Sequence, residues 1–141
     1  MQTMSTRRQF VLSVPAMVVA AATTARHGPL GVHPMRTDHP TPRRGITAAR
    51  VLTRQELGSE HAEAAPVFDM VRQIPQVVDG IRCRCGCAEV EGNYSLLSCY
   101  EGNGMAGHCE VCQEEGRLAY RMHKQGKSLD EIRAAIDAEF G

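Results

Sequence analysis

Tryptophan is absent from this chain, phenylalanine and tyrosine number only three each, and no cysteine occurs outside the stretch from Cys83 to Cys112. So few large aromatics leave a small domain short of apolar area, and a cross-link or a structural metal is expected to make up the deficit. No apolar run reaches the roughly 20 residues that a membrane-spanning helix requires. Basic residues are not interleaved with aromatics, which excludes a nucleic-acid surface. A Ser-His-Asp set, paired catalytic carboxylates, a glycine-rich phosphate loop, an internal repeat and any strand-like alternation are all missing. What is present is sulfur, all six cysteines of the chain in one window.

The start of the chain carries an address. Arg7 and Arg8 precede Phe10-Val11-Leu12, an apolar run extends from Val14 to Ala22, and Ala20 and Ala22 form an A-x-A cleavage pattern. Residues 1–25 are therefore expected to be a twin-arginine signal peptide, recognised by the twin-arginine translocation machinery and removed. Export across the cytoplasmic membrane, to the periplasm or the extracellular space, follows. No cysteine succeeds the run, so a lipid anchor has no attachment point. That route carries folded proteins, which suits a thiol-rich chain: metal can occupy reduced cysteines before an oxidising compartment pairs them.

Residues 26–61 are expected to form a disordered basic linker. Pro29, Pro34, Pro40 and Pro42 punctuate it, between His27 and Arg54 the arginines 36, 43, 44, 50 and 54 face a single Asp38, and no apolar period appears before Arg54. His27, His33 and His39 recur there and are read as solvated. Residues 62–141 are acidic and are expected to hold an all-α domain, a small three-helix bundle closed over a cysteine-rich loop. Ala65-Pro66 opens the first helix, and Val67, Met70, Val71, Ile74, Val77 and Val78 recur at helical spacing up to Asp79-Gly80, with a kink expected near Ile74 because Pro75 follows it. The second helix runs from about Cys109 to His123 or Lys124, with Val111, Cys112, Leu118, Ala119 and Met122 inward and Gly126 as its stop. Ser128 and Glu131 form a capping box for the third, whose buried face is Leu129, Ile132, Ala135, Ile136 and Phe140. Between the first two, Tyr94 to Tyr100 is expected to make a short helical turn that presents Cys99.

Cys83, Cys85, Cys87, Cys99, Cys109 and Cys112, with His108 beside Cys109, are spaced for wrapping around an ion rather than for stapling distant loops. Cys83 and Cys87 can share a centre only if the chain turns between them, and Gly86 permits that turn. Cys109 and Cys112 open a helix, where the dipole favours thiolate, and are expected to be the most thiolate-like pair. Six thiols and one imidazole exceed the four ligands of one tetrahedral zinc, so a second ion, a multinuclear cuprous centre or a partly oxidised site all fit the count. Thiolates select zinc, copper or an iron–sulfur cluster and exclude magnesium and calcium.

The stretch Val67 to Gly141, through IPQVVDGIRCRCGC, YSLLSCYEGNGMAGHCEVC and KQGKSLDEIRAAIDAEFG, resembles the bacterial family named for its PCYCGC motif, exported or lipid-anchored proteins of uncharacterised function. The resemblance implies that the six cysteines and His108 form the family's site, but brings no reaction with it. Arg82 and Arg84 stand where the name-giving Pro and Tyr would be, which raises local positive charge, and Asn93 replaces an expected histidine. A weaker similarity joins the IRC segment and the GKSxxEIR end to the three-helix thiol-oxidoreductase domain of the cytochrome c maturation system, although that family presents LRCxxC.

Two functional classes follow. The first is an exported binding module that holds a soft metal, zinc or copper foremost, through Cys83, Cys85, Cys87, Cys99, His108, Cys109 and Cys112. Its rival is a thiol-disulfide redox protein acting on a client protein through Cys109 and Cys112, or Cys83 and Cys85. Elsewhere the bland reading holds: His123 is exposed, Met105 sits in a loop, and Glu110, Glu114 and Glu115 compensate a helix dipole.

Overall fold

The computed structural model describes residues 38–90 and 92–141. The predicted signal peptide and the first part of the predicted linker, residues 26–37, lie outside the described residues. Among the described residues the protein is all-helical, and its single β feature is an isolated bridge between Val51 and Glu101. No helix there is long and apolar enough to cross a membrane.

A short helix α1 (Arg54–Leu57) is capped reciprocally by Thr53 and Glu56. Helix α2 (Ala65–Gln73) buries Val67, Phe68 and Val71. It ends where expected: Ile74 leaves the helical region, at φ −132° and ψ 42°, and Pro75 becomes the first residue of α3 (Pro75–Asp79). The proline ring both lacks an N–H and crowds the residue before it, so one predicted helix becomes two. A single turn, α4 (Cys87–Val90), and two 3-10 segments, Leu96–Tyr100 and Met105–Gly107, carry the chain to α5 (Glu110–Lys124). Gly126, at φ 77°, follows that helix, and α6 (Leu129–Phe140) opens on the Ser128–Glu131 capping box.

Helix α5 lies against both α2 and α6, and these three elements are the predicted bundle. One predicted face needs revision. Val111 is 36% exposed, while the buried stripe of α5 is Cys112, Glu115, Gly116 and Ala119. Gly116 is there because Tyr100 comes so close: a Cβ at that position would stand 2.2 Å from the Tyr100 hydroxyl oxygen. Tyr100 in turn meets Phe68 edge to face at 4.7 Å.

The linker also needs revision, because residues 38–61 are ordered against the helices rather than disordered. Val51 and Leu57 are buried core residues. Leu52 N–H donates to the Tyr100 carbonyl at 3.0 Å. Arg43 reaches Asp79, fully buried at the end of α3, with its guanidinium at 2.6 Å and its backbone N–H at 2.7 Å. Proline and arginine composition gave this segment no internal pattern, and its order comes from partners far along the chain.

Candidate metal centre

Three separate stretches deliver the sulfurs. The extended segment after α3 brings Cys83 and Cys85, and Gly86, at φ 88°, turns the chain so that Cys87 starts α4. The 3-10 segment brings Cys99, and its first residue is lashed to the cysteine loop by Leu96 N–H donating to the Ile81 carbonyl at 2.7 Å. Helix α5 brings the last pair: Cys109 is its N-cap, with Sγ accepting from Cys112 N–H at 3.4 Å, and Cys112 lies one turn in.

All six thiols are free, and they converge. Cys83 Sγ stands 3.2 Å from Cys85 Sγ and 3.4 Å from Cys112 Sγ; Cys112 and Cys85 are 3.5 Å apart, and Cys87 and Cys99 3.1 Å. Sets that close within 4.8 Å include Cys83, Cys85 and Cys87; Cys83, Cys99 and Cys112; and Cys85, Cys109 and Cys112. These separations are well beyond the roughly 2.05 Å of a disulfide bond. They approach the edge of about 3.8 Å that four sulfurs form around zinc when each Zn–S distance is about 2.3 Å. The donor set, all sulfur and largely buried, therefore fits a soft ion.

His108 is in none of these sets. Its ring is exposed and meets that of His61 edge-on, with centroids 3.9 Å apart. Asn93 does face the site, its amide nitrogen 3.7 Å from Cys99 Sγ. Arg82 and Arg84 do not turn their charge to the sulfurs: Arg82 pairs with Asp38 at 3.2 Å, and Arg84 pairs with Asp137 of α6.

Two residues outside the predicted set hold the loop. Glu115, fully buried one turn after Cys112, accepts from Arg84 N–H at 2.7 Å through one oxygen and from the Cys83 thiol at 3.1 Å through the other. Burial raises its carboxyl to about 7, against the opposing hydrogen bonds from Cys83 and Arg84. His39 accepts from Arg82 N–H through Nδ1 at 3.0 Å, which leaves its Nε2–H to donate to Asp137 at 3.1 Å. Burial lowers its pKa despite that carboxylate. The signal for Glu115 was its register, three residues after Cys112 on the same helical face; that for His39 was only long-range.

Protons are shared unequally among the sulfurs. Cys85 Sγ lies 3.5 Å from Cys112 Sγ and 3.2 Å from Cys83 Sγ, and hydrogen bonding first with Cys112 and then with Cys83 holds it below the ordinary thiol range. Cys83 is raised, first by its hydrogen bond to Cys112 and then by that to Cys85. For Cys112 the bond to Cys83 acts downward but is outweighed by those to Cys85, Cys87 and Cys99, so it is raised too. The expected thiolate preference of Cys112 is thereby corrected: its hydrogen bonds to Cys85, Cys87 and Cys99 raise it, while Cys85 and Cys87 are the lowered thiols, Cys87 to about 3.

Over residues 12–141 the chain matches the model of a family described as a protein of unknown function with PCYCGC motif. No curated protein and no solved structure matches. The likeness to the cytochrome c maturation domain thus gains no support.

Proposed function

The chain belongs to the PCYCGC-motif family, whose function is unknown, and from that premise we propose that it is an exported protein that binds a soft metal through its cysteine cluster. Cys83, Cys85, Cys87, Cys99, Cys109 and Cys112 are the ligands, and zinc or cuprous copper is the cargo that thiolates of this kind select, with an iron–sulfur cluster as the third choice. The carrying observation is the convergence of six free thiols from three stretches of chain, five of them at sulfur separations of 3.1–3.5 Å and Cys109 within 4.8 Å of Cys85 and Cys112. His108 joins through its position beside Cys109, as an outer group at the site rather than a member of the sulfur sets. Arg7 and Arg8 direct the folded chain to the twin-arginine machinery, so that metal enters before the oxidising compartment is reached.

Elemental analysis of natively exported protein, with thiols counted before and after chelation, tests the reading. Stoichiometric metal with thiols released by chelator supports it. Metal-free protein with a reversible disulfide replaces it by thiol exchange with a client protein. A colourless loaded form points to zinc or cuprous copper, and a visible charge-transfer band to iron–sulfur. Export is tested separately by Arg7→Lys and Arg8→Lys together, which should leave the chain in the cytoplasm.

A further inference from the structure

The three sulfur sets overlap in a particular way. Cys83 belongs to the set with Cys85 and Cys87 and to that with Cys99 and Cys112; Cys112 belongs to the latter and to the set with Cys85 and Cys109. Cys83 and Cys112 are also adjacent, at 3.4 Å. Cys85 belongs to two sets as well and lies 3.2 Å from Cys83 and 3.5 Å from Cys112, so these three sulfurs form the middle of the cluster, with Cys83 and Cys112 buried and Cys85 half-exposed. Cys87 and Cys99 are 3.1 Å apart and join this middle through Cys83, whereas Cys109 joins it through Cys85 and Cys112.

A single four-coordinate ion cannot use this arrangement. It would leave two of six sulfurs unligated inside a cluster whose members are already at ligand spacing. Two such ions need eight positions, and six sulfurs fill eight when two of them bridge. From this topology, and because Cys83 and Cys112 are the buried members of the central three, we infer that the cluster holds two soft divalent ions that share Cys83 and Cys112, an inference that rests on the metal-binding reading above. The inner ion takes Cys87 and Cys99 as its remaining ligands, and the outer ion takes Cys85 and Cys109.

The two positions are not equivalent. Cys83, Cys87, Cys99 and Cys112 are at most 4% exposed, whereas Cys85 and Cys109 are both half-exposed. The inner ion is enclosed by the core and takes the structural part that a domain poor in aromatics calls for. The outer ion sits at the surface, where an incoming thiolate can reach it. It is the exchangeable one. Binding needs no oxidant: each thiol that becomes a ligand gives up its proton to solvent.

Titration of the reduced, metal-free chain with ¹¹³Cd(II), followed by cadmium NMR, tests the inference. Two equivalents bound, seen as two resonances split by coupling to each other through shared sulfur, are expected. EDTA should then remove one ion in a fast phase and the other in a slow one, and Cys109→Ser should lose the fast phase while keeping the inner resonance. One equivalent bound overturns the two-ion centre and leaves metal binding intact; none bound overturns both. Two uncoupled resonances overturn the sharing of Cys83 and Cys112. These outcomes are read on the parent chain, so they stand even if a Cys112→Ser variant does not fold.

Discussion

The phenol of Tyr100 donates to the carbonyl oxygen of Cys112 at 2.7 Å, inside the core. A helix carbonyl on the stripe that faces the sulfurs is thus held by a residue one position after Cys99, and the geometry of the cluster is tied to the packing beneath it. Burial pushes the Tyr100 hydroxyl well above its ordinary pKa, so it remains a donor at any working pH.

Tyr100→Phe removes that donor and is expected to cost about 0.5–1.5 kcal/mol, the net contribution of a typical intramolecular hydrogen bond. Gly116→Ala should cost more, because its Cβ would meet the Tyr100 oxygen at 2.2 Å. In the double variant the oxygen is gone, so the combined loss should fall short of the sum. Urea denaturation of the four chains reads the coupling. Strict additivity would show that the phenol does not fill the space over Gly116.

Asp79 makes stability depend on acid. Burial pushes its carboxyl up, but the hydrogen bonds from Arg43 and then Ser95 outweigh burial and leave it below its ordinary value. A depressed folded pKa means that the folded state resists protonation more than the unfolded one, whose value is about 3.9. The contribution is whole above that pH and is lost as pH falls through the folded value. Acid titration followed by circular dichroism should show this loss in the parent and not in Asp79→Asn. At neutral pH the variant should be destabilised by less than the roughly 3–5 kcal/mol of a fully buried pair, since Arg43 keeps a partly solvated side chain.

The helices were legible because their signals are local. Pro75 marks the break after Ile74, the Ser128–Glu131 box marks the start of α6, and Gly126 marks the end of α5, each within a few residues of the feature it sets. The cysteine set was legible by composition alone. Glu115 was masked, although its register after Cys112 puts it on the inward face, because an acidic residue near a helix start has a sufficient surface explanation. Ordering of residues 38–61 was illegible for a different reason: Arg43 and Asp79 are 36 positions apart, and no short-range pattern links them.

Exposure and charge set the order in which the thiols react. In the reduced, metal-free protein Cys85 is half-exposed and held toward thiolate, and Cys109 is half-exposed, whereas Cys99 and Cys112 are wholly buried. Brief treatment with iodoacetamide, with labelled positions mapped by mass spectrometry, should find Cys85 and Cys109 first and Cys99 and Cys112 last. Cadmium added beforehand should protect all six. Early labelling of Cys99 would show that the 3-10 segment opens and that the inner half of the cluster is not enclosed.

Composition alone places the start of the domain near residue 62; the contacts place it no later than residue 38. Val51 and Leu57, both buried, are each worth about 1.5–3 kcal/mol by removal from water. Removing them with Arg43 also leaves Asp79 buried without its cation, and removing His39 frees Arg82 N–H at the mouth of the cysteine loop. Together these losses rival the roughly 5–15 kcal/mol that hold a small domain folded. A chain beginning at Ala62 should therefore fail to unfold cooperatively, whereas one beginning at Asp38 should melt as a single transition, both with metal withheld. Calorimetry on the two compares them directly. If the shorter chain melted at the same temperature, the ordered segment would be a passenger, and the enclosure of the sulfurs would rest on the α2, α5 and α6 frame alone.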